Sequence, residues 1–405
     1  MANTPLRVLF LTPYFRPYLG GIERAIEQLS FQMQQSASIE AVGVLTTKYS
    51  FPRHPHPTWA DEETGADGIS IFRLSGFPSR ALPLYAVPLV WFSPFRLKRH
   101  LDEFKPDVIH FVGDGWFWGH LWAWFWYRRR ARFVFTPSYH VLPPSRWWLK
   151  PINAFLCRIA DRVVALTGTE AKSVSGAYRA HKDKLTVIGW GASLGDNALE
   201  NASVPVSTRE APHRKTGEEL ETKPLTILCV GRLGRHKGQR WLIDTYMQAR
   251  AEFKRPVRLV LVGRDEGGAA EIEKRIAGHH LQGEVIVTGE VSDDELAELY
   301  AEADLFTLFS HYEAFGLVFL EAMVHGAPVL THDVGANKEV LGEGAVVVDR
   351  FDQDTAASEM ARLVNDDEAR WELGRQAQRY ALAEFSWTAV ADKYLEVYQP
   401  TRTAA

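Results

Sequence analysis

Four charged side chains stand at spacings that suit a phosphorylated, hydroxyl-rich ligand. Arg232 and Lys237 lie in the glycine-rich run GRLGRHKG, and Glu313 and Glu321 lie eight residues apart in EAFGLVFLEAM. A guanidinium fork and a compact ammonium can together neutralise a diphosphate. Ionised carboxylates accept hydrogen bonds and therefore suit hydroxyl groups. These residue types indicate a site for an anion that carries a sugar or ribose.

The basic run follows a predicted strand and opens a predicted helix near Gln239. Glycines after a strand let the backbone approach a ligand, and the first amides of a helix favour anions. A solvated basic turn that caps a helix is the alternative interpretation. The run lacks the GKS or GKT of a Walker loop, so we do not expect that type of nucleotide site.

The acidic run follows the strand predicted at residues 305–309. We expect Glu313 on the loop and Glu321 about two turns into the next helix, whose first amides, near Gly316, Leu317 and Val318, can bind phosphate. The alternative is an exposed loop acid and a surface acid of the helix. The apolar neighbours of Glu321 leave little polar surface there, and burial of an unpaired carboxylate is costly, which favours a functional role.

These runs must be positioned by short apolar strands that alternate with helices. Strands are predicted at residues 7–12, 42–46, 69–74, 108–112, 133–136, 163–166 and 185–188, and again at 226–230, 258–262, 285–287, 305–309, 328–331 and 345–348. A helix is predicted over 22–35 and a helical tail over 355–398. Such alternation is typical of parallel sheets covered on both faces. We therefore expect an α/β protein with two doubly wound, Rossmann-like domains.

A polar stretch divides the two series of strands. We predict an N-terminal domain over 1–194, a mobile linker over 195–223, and a C-terminal domain over 224–385. We expect the helix over 386–405 to pack back on the N-terminal domain. Ligands bind outside the carboxyl ends of such strands, so the expected site is a cleft between the domains.

The composition excludes several other classes of protein. The chain has 405 residues, of which 46% are hydrophobic and 24% charged, with a net charge of −4. Residues 1–200 carry a charge of +7 and ten of the thirteen Trp, whereas the remainder carries −11. Two distant cysteines, Cys157 and Cys229, predict neither a disulfide framework nor a zinc site. Without a recognisable signal peptide or membrane span, we expect a cytoplasmic protein.

The N-terminal half contributes further candidates. Gly20 and Gly21 precede the first helix without forming a dinucleotide fingerprint, and a tight strand–helix turn is the alternative interpretation. His140 follows the strand at 133–136 in TPSYHV, where a structural or exposed histidine is an equally good interpretation. His110 also ends a predicted strand and is a secondary candidate.

Taken together, the motifs VGRLGRHKG, EAFGLVFLEAM, HGAPVLTHDVGANKEVL and PYFRPYLGGIERAIEQL resemble the retaining GT-B glycosyltransferases of family 4. The resemblance implies transfer of a hexose-type sugar from a nucleoside diphosphate-sugar to an acceptor hydroxyl, with retention of anomeric configuration and the leaving phosphate as the base. It implies no cofactor and no metal. Ala314 and Arg264 depart from the common family pattern, which leaves the donor sugar open.

The resemblance also implies that the C-terminal domain binds the donor and the N-terminal domain the acceptor, and it implies roles for individual residues. Arg232 and Lys237 would hold the diphosphate, Glu321 the ribose and Glu313 the transferred sugar, while His140 would lie near that sugar. The residues that would complete the donor site are Gly20, Gly21, Gly289, Val291, Phe315, Gly316, Leu317 and Val318. Of these, Gly289 and Val291 would lie against the base, and Leu317 and Val318 would offer amides to the phosphates.

Three segments rich in Trp and Arg bear on the acceptor: residues 82–100, 116–132 and 146–150. Trp favours the lipid headgroup region and Arg favours anionic lipids, so we expect contact with the inner surface of the membrane and a lipid-linked or cell-envelope acceptor. Burial in an ordinary core is the alternative. We expect no nucleic-acid binding, because no motif for it accompanies the arginines.

Two other functions remain possible on the same architecture. One is a sugar-nucleotide epimerase, which no sequence feature favours over sugar transfer. The other is a non-catalytic protein that binds nucleotide-sugars at a membrane. The joint presence of Arg232, Lys237, Glu313 and Glu321 argues against the decay of a catalytic site.

Overall fold

The computed structural model describes residues 4–17, 20–50, 54–78, 90–113, 116–138, 149–192 and 224–399. The chain divides into two compact units. The first consists of Met1–Gly191 with Trp387–Ala405, and the second of Ala192–Ser386. The predicted linker, residues 195–223, lies outside the described residues.

An eight-stranded sheet forms the centre of the first unit. The strands of this unit are β1 (Leu6–Leu11), β2 (Ile39–Thr47), β3 (Tyr49–Ser50), β4 (His54–Pro55), β5 (Glu62–Thr64), β6 (Ser70–Leu74), β7 (Gly76–Pro78), β8 (Val90–Phe92), β9 (Val108–Val112), β10 (Arg132–Thr136), β11 (Arg162–Ala165) and β12 (Leu185–Val187). The sheet order is β12-β11-β10-β9-β1-β2-β6-β5, and its strands pair in parallel except for the edge strand β5. The strand order reverses between β1 and β9, the switch point where such sheets bind ligands.

The helices of the first unit are α1 (Gly21–Gln34), α2 (Pro94–Phe104), α3 (Phe117–Tyr127), α4 (Leu149–Ile159) and α5 (Gly168–Tyr178). Strands β9 and β1 are almost fully buried, as expected for central strands covered on both faces. Side chains from these strands and from α2 to α5 form one hydrophobic core.

The second unit repeats this plan with six parallel strands. Its strands are β13 (Leu225–Val230), β14 (Val257–Val262), β15 (Val285–Gly289), β16 (Leu305–Thr307), β17 (Val329–His332) and β18 (Ala345–Val348). Its helices are α6 (Gln239–Arg250), α7 (Ala269–Gly278), α8 (Asp293–Glu302), α9 (Leu317–Val324), α10 (Asn337–Leu341), α11 (Gln353–Asn365) and α12 (Asp367–Phe385). The order β15-β14-β13-β16-β17-β18 places the switch point between β13 and β16.

The last helix, α13 (Trp387–Tyr398), belongs to the first unit. Its tyrosines meet the central strands there, since the Tyr398 hydroxyl lies 2.7 Å from Nδ1 of His110. At the entry to the helix, the Trp387 indole lies so close to Gly191 that a Cβ there would come within 2.4 Å of it. A glycine is therefore required at this contact.

The predicted strands all occur, with ends displaced by at most a few residues. Strands β3, β4, β5, β7 and β8 were not predicted, because they are two or three residues long and too short to show a hydrophobic periodicity. The predicted helical tail occurs as three successive helices, α11, α12 and α13. Asp366 caps α12 through a hydrogen bond from the Ala369 amide, so the chain begins a new helix there.

Among the described residues, no helix is both long and apolar enough to cross a membrane. Cys157 and Cys229 are buried thiols in separate units and form no disulfide.

Candidate active site

The basic run occupies the turn that leaves β13 at the switch point of the second unit. Residues Arg235–Lys237 form a single 3-10 turn, and Gly238 then begins α6 with a φ of +71°. A Cβ at Gly238 would lie 1.9 Å from the carbonyl oxygen of Phe309, so the backbone of this turn touches the chain that leaves β16. Only glycine permits both the left-handed conformation and this close approach.

Lys237 and Glu313 form an ion pair across the switch point. The Lys237 ammonium lies 2.8 Å from Oε2 of Glu313, and both side chains are largely shielded, at 15% and 13% exposed. The Ser310 hydroxyl donates a second hydrogen bond to the same oxygen at 3.2 Å. Thus the fold brings together one cation and one carboxylate from the two sequence motifs, as neighbouring parallel strands require when their carboxyl ends meet.

Arg232 lies on the same turn but pairs with a different acid. Its guanidinium donates to Oε1 of Glu266 at 2.8 Å, and Arg264 lies 3.8 Å from that oxygen. Gln239 holds the turn, since its side-chain amide donates to the carbonyl oxygens of Gly231 and Arg232. The structure therefore places two arginines around one carboxylate, with Arg232 about half exposed and able to contact a ligand.

His236 lies between these charge pairs. Burial lowers its pKa, and the positive charges of Arg232 and Lys237 lower it further, against the opposing influence of Glu266 and Glu313. The imidazole is thus neutral near pH 7. The backbone carbonyl of His236 accepts a hydrogen bond from the His311 amide at 2.8 Å. A neutral ring leaves the positive potential of the turn to Arg232 and Lys237.

Glu321 lies on α9, the helix that follows Glu313. Because α9 begins at Leu317, Glu321 is its fifth residue, one turn into the helix; the prediction of two turns was wrong. The Tyr300 hydroxyl donates to Oε2 of Glu321 at 2.7 Å, and His325 bonds the Glu321 carbonyl oxygen. A hydrogen bond from α8 thus orients this carboxylate. The bond also offsets part of the desolvation cost of placing a carboxylate among apolar side chains.

The amides at the start of α9 complete the acidic motif. Gly316 precedes the helix with a φ of +84°, a conformation that suits glycine, and the amides of Leu317 and Val318 have no acceptor within the helix. The Phe315 side chain is 4% exposed and packs against Phe385, so its own ring is part of the core. The loop is held from the other side, since a Cβ at Gly335 would lie 1.9 Å from the Glu313 carbonyl oxygen.

The remaining donor candidates lie at other strand ends. Gly289 ends β15 with a φ of +76°, and Val291, half-buried, follows it. Gly20 and Gly21 belong to the first unit, where they begin α1 after the switch-point strand β1. His140 lies outside the described residues.

Four polar residues around these candidates were not predicted from the sequence. They are Glu266, Ser310, Tyr300 and Glu23. Glu266 follows β14, the strand beside β13, so strand order would have revealed it. Glu23 stands three residues after Gly20, the spacing of a capping acid, and its Oε2 accepts from the Gly20 amide at 3.0 Å. Burial raises the pKa of Glu23 to about 7, although the amides of Glu23 and Gly20 oppose the shift.

His110 does not end its strand, as the sequence suggested, but is the middle residue of β9. Its two ring nitrogens lie 2.7 Å from the Tyr398 hydroxyl and 2.8 Å from the Thr136 hydroxyl. Burial lowers the pKa of His110 to about 3, so the ring is neutral. Both nitrogens are occupied within the unit, and His110 acts as a structural residue.

Comparison with known proteins places both units in one class. The family described as Glycosyl transferases group 1 matches residues 212–380, and Glycosyltransferase Family 4 matches residues 19–194. A relative from Corynebacterium diphtheriae, D-inositol 3-phosphate glycosyltransferase, is 31% identical over 245 residues, which is 59% of this chain. The matched region spans little more than half of that relative, 56% of its length.

Solved structures share the fold at low sequence identity. Sucrose-phosphate synthase from Thermosynechococcus elongatus superimposes with a TM-score of 0.72 at 20% identity, covering 97% of this chain and 98% of that one. Anabaena HepE in complex with UDP and glucose gives a TM-score of 0.68 at 18% identity, covering 96% and 98%. Because two descriptions of one enzyme class match successive parts of the sequence, and both units have the expected parallel sheets, the chain belongs to the GT-B glycosyltransferases of group 1 and family 4.

Proposed function

We propose that the protein transfers a sugar from a nucleoside diphosphate-sugar to an acceptor hydroxyl. The observation that carries the proposal is the shielded Lys237–Glu313 pair at the switch point, beside the α9 amides. Lys237 and Arg232 neutralise the diphosphate together with the amides of Leu317 and Val318. A single cradle thus offers positive charge for the phosphates and a carboxylate for the hydroxyls beside them.

The two carboxylates take different parts of the donor. Lys237 and Ser310 both bond Oε2 of Glu313, so we assign its Oε1 to the hydroxyls of the transferred sugar. Glu321, oriented by Tyr300, binds the ribose hydroxyls. Gly289 and Val291, at the end of β15, lie against the base. HepE binds UDP, which makes a uridine nucleotide the first candidate for this chain.

The reaction we propose retains the anomeric configuration. The bond from the anomeric carbon to the phosphate oxygen breaks, and a bond to the acceptor oxygen forms on the same face. The acceptor proton passes to the leaving phosphate, and Arg232 and Lys237 stabilise the negative charge that develops there. These cations and amides supply the stabilisation that a metal gives elsewhere, so we propose that the transfer itself uses neither metal nor cofactor. His140 is assigned to the same sugar.

A panel of nucleotide-sugars tests the donor assignment. A ligand that binds only the folded state raises the melting temperature, so at least one UDP-sugar should do so in thermal-shift measurements. The Lys237→Ala variant should lose most of this shift. Release of nucleoside diphosphate without acceptor then separates a transferase from a non-catalytic binding protein, because slow donor hydrolysis requires a catalyst. Recovery of an epimerised donor would support the epimerase alternative instead.

We further propose that the first unit binds the inner face of an anionic membrane and takes a lipid-linked or envelope acceptor there. Helix α3 buries Gly119, His120, Ala123 and Tyr127, which share one face. Its other face carries an aromatic surface, which we define as Phe95 of α2 with Trp122, Phe125 and Trp126 of α3. Phe95 and Phe125 are 75% and 51% exposed.

The aromatic surface has the composition of a membrane interface. Its rings contact one another, with centroids of Trp122 and Trp126 at 5.3 Å and of Phe95 and Trp126 at 6.2 Å. Exposed arginines at positions 128–130 follow directly, and the Arg128 guanidinium lies over Phe125. Aromatic rings at headgroup depth with adjacent cations favour anionic lipid. Of the other two Trp-rich segments, residues 79–89 and 139–148 lie outside the described residues.

Vesicle flotation tests the membrane proposal independently of catalysis. The protein should float with vesicles that contain phosphatidylglycerol, and less with pure phosphatidylcholine. The double variant Phe95→Ser, Phe125→Ser should lose binding, whereas Phe351→Ser, which removes an exposed ring in the other unit, should keep it. Equal flotation of both variants, or none at low salt for the wild type, would remove the membrane proposal and leave the enzyme proposal intact.

A further inference from the structure

Three potential metal ligands meet at the edge of the first unit, apart from the donor candidates. Glu62 lies on the edge strand β5, and His100 and Glu103 lie on α2. Their ligand atoms all lie within 4.8 Å of one another. Nδ1 of His100 is 3.3 Å from Oε1 of Glu62 and 3.6 Å from Oε2 of Glu103. The two carboxylates are exposed, whereas the imidazole side chain is only 2% exposed.

The buried nitrogen of this cluster lacks a hydrogen-bond partner. Within the described residues, Nδ1 of His100 has no partner of acceptable hydrogen-bond geometry, although both carboxylates lie within 3.6 Å of it. A buried polar atom without a partner costs free energy, so such an atom needs an explanation. A neutral imidazole nitrogen is the most common protein ligand for a transition metal.

The distances from His100 Nδ1 to the two carboxylates suit ligands of one metal ion. Zinc bonds nitrogen and oxygen ligands at about 2.0–2.2 Å in a tetrahedron, which places neighbouring ligand atoms roughly 3.3–3.6 Å apart. The two distances from Nδ1 fall in this interval. We propose that Glu62, His100 and Glu103 bind one Zn²⁺ ion, with water as the fourth ligand.

The neighbouring Arg99 guanidinium must move away when the ion binds. The Arg99 guanidinium donates to Oε1 of Glu62 at 3.0 Å and lies 3.5 Å from Oε1 of Glu103. Arg99 is 57% exposed, so it can move into solvent. Its charge opposes a divalent ion at this position and weakens the site. The removal of Arg99 should therefore strengthen zinc binding, which the cluster's role as a plain ion-pair network does not predict.

The bound ion joins the edge strand to the helix that covers it. Strand β5 is the short antiparallel strand at one end of the sheet, so in the part of the chain that the structure describes it pairs on one side alone. A metal bridge from Glu62 to His100 and Glu103 would hold β5 against α2. The role of the ion is thus to stabilise the first unit, and the donor residues of the second unit do not take part.

Isothermal titration of the tag-free full chain with ZnCl₂ tests the site, with melting temperature as a second readout. The wild type should bind one equivalent and melt at a higher temperature with zinc. Glu103→Gln changes an exposed side chain and should preserve the fold, yet lower the affinity at least about tenfold, as loss of a ligand must exceed the effect of an outer-shell change. His100→Gln should do the same, and Arg99→Gln should raise the affinity.

His279→Gln is the matched control, because His279 also contacts a carboxylate, that of Asp244, at 3.1 Å, but without a second acid among the described residues. It should leave the affinity and the zinc-dependent melting shift unchanged. The proposal fails if zinc produces no saturable heat, or if Glu103→Gln and His100→Gln both titrate like the wild type. It also fails if the Arg99→Gln variant binds zinc more weakly.

Discussion

The two units have the same kind of sheet but use their switch points differently. In the second unit, the strand ends carry the half-exposed Arg232 and the shielded Lys237–Glu313 pair, to which we assign the donor. In the first unit, the corresponding strands place the neutral ring of His110 between two hydroxyls, within the core. The strand ends of the second unit thus carry the charges that we assign to the proposed donor, whereas in the first unit the polar groups around His110 satisfy one another.

The sharpest test of this contrast is the removal of the shielded ammonium. Lys237→Ala should lower kcat with the identified donor by about 10²–10³-fold, the usual effect of losing one group that stabilises developing charge. Lys338→Ala is the control, because Lys338 forms an exposed pair with Asp333. Near-normal turnover of the Lys237 variant would count against the donor site, provided that both variants melt like the wild type.

The pH dependence of stability should reveal the buried acid of the first unit. Burial raises the pKa of Glu23 to about 7 in the folded state, so folding favours its protonated form. Its contribution is fully present below pH 4.5 and is lost as the pH rises through about 7. The free energy of unfolding of the wild type, relative to Glu23→Gln, should fall by about 3 kcal/mol across this range.

Urea denaturation between pH 4 and 8 measures this difference, and the comparison with Glu23→Gln cancels the buried histidines, whose lowered pKa values act in the opposite direction. Gln keeps an oxygen that can accept the Gly20 amide. Parallel curves for the two proteins would mean that Glu23 titrates normally.

Disruption of the buried network should affect stability without affecting the donor. Tyr398→Phe leaves Nδ1 of His110 without its partner, which should lower the free energy of unfolding by about 1–3 kcal/mol. Donor affinity, measured by titration calorimetry, should stay within experimental error of the wild type. A variant with unchanged stability but weakened donor binding would reverse the roles assigned to the two switch points.

The smallest effect is expected from the residue that orients Glu321. Tyr300→Phe removes the hydrogen bond to Oε2 and should raise KM for the donor by up to about tenfold, with little change in kcat. Tyr246→Phe is the matched control, because Tyr246 also bonds a carboxylate, Glu284, at 3.2 Å in the same unit. Equal kinetic effects of both substitutions would indicate a general loss of packing.

The sequence determined the strands, their parallel class and the two charged motifs. Short apolar strands that alternate with amphipathic helices are compatible with few folds other than a parallel α/β sheet. The charged motifs are equally local, because each pair, Arg232 with Lys237 and Glu313 with Glu321, lies within one short run of sequence. It also marked the turns where glycine is obligatory, such as Gly238 and Gly316, whose positive φ other residues rarely adopt. For these features, the information lies within about a dozen neighbouring residues.

Only the tertiary structure decided which charges pair. Lys237 and Glu313 are 76 residues apart, and Arg232 and Glu266 are 34 apart, so no local pattern relates them. The pairing depends on strand order, which brings the ends of β13, β14 and β16 together. Similarly, His110 has the sequence context of a candidate site residue, yet its Nδ1 is hydrogen-bonded to Tyr398, which follows 288 residues later in the chain. Long-range contacts depend on how the whole chain packs, and that packing determines whether a polar side chain faces a ligand or another residue.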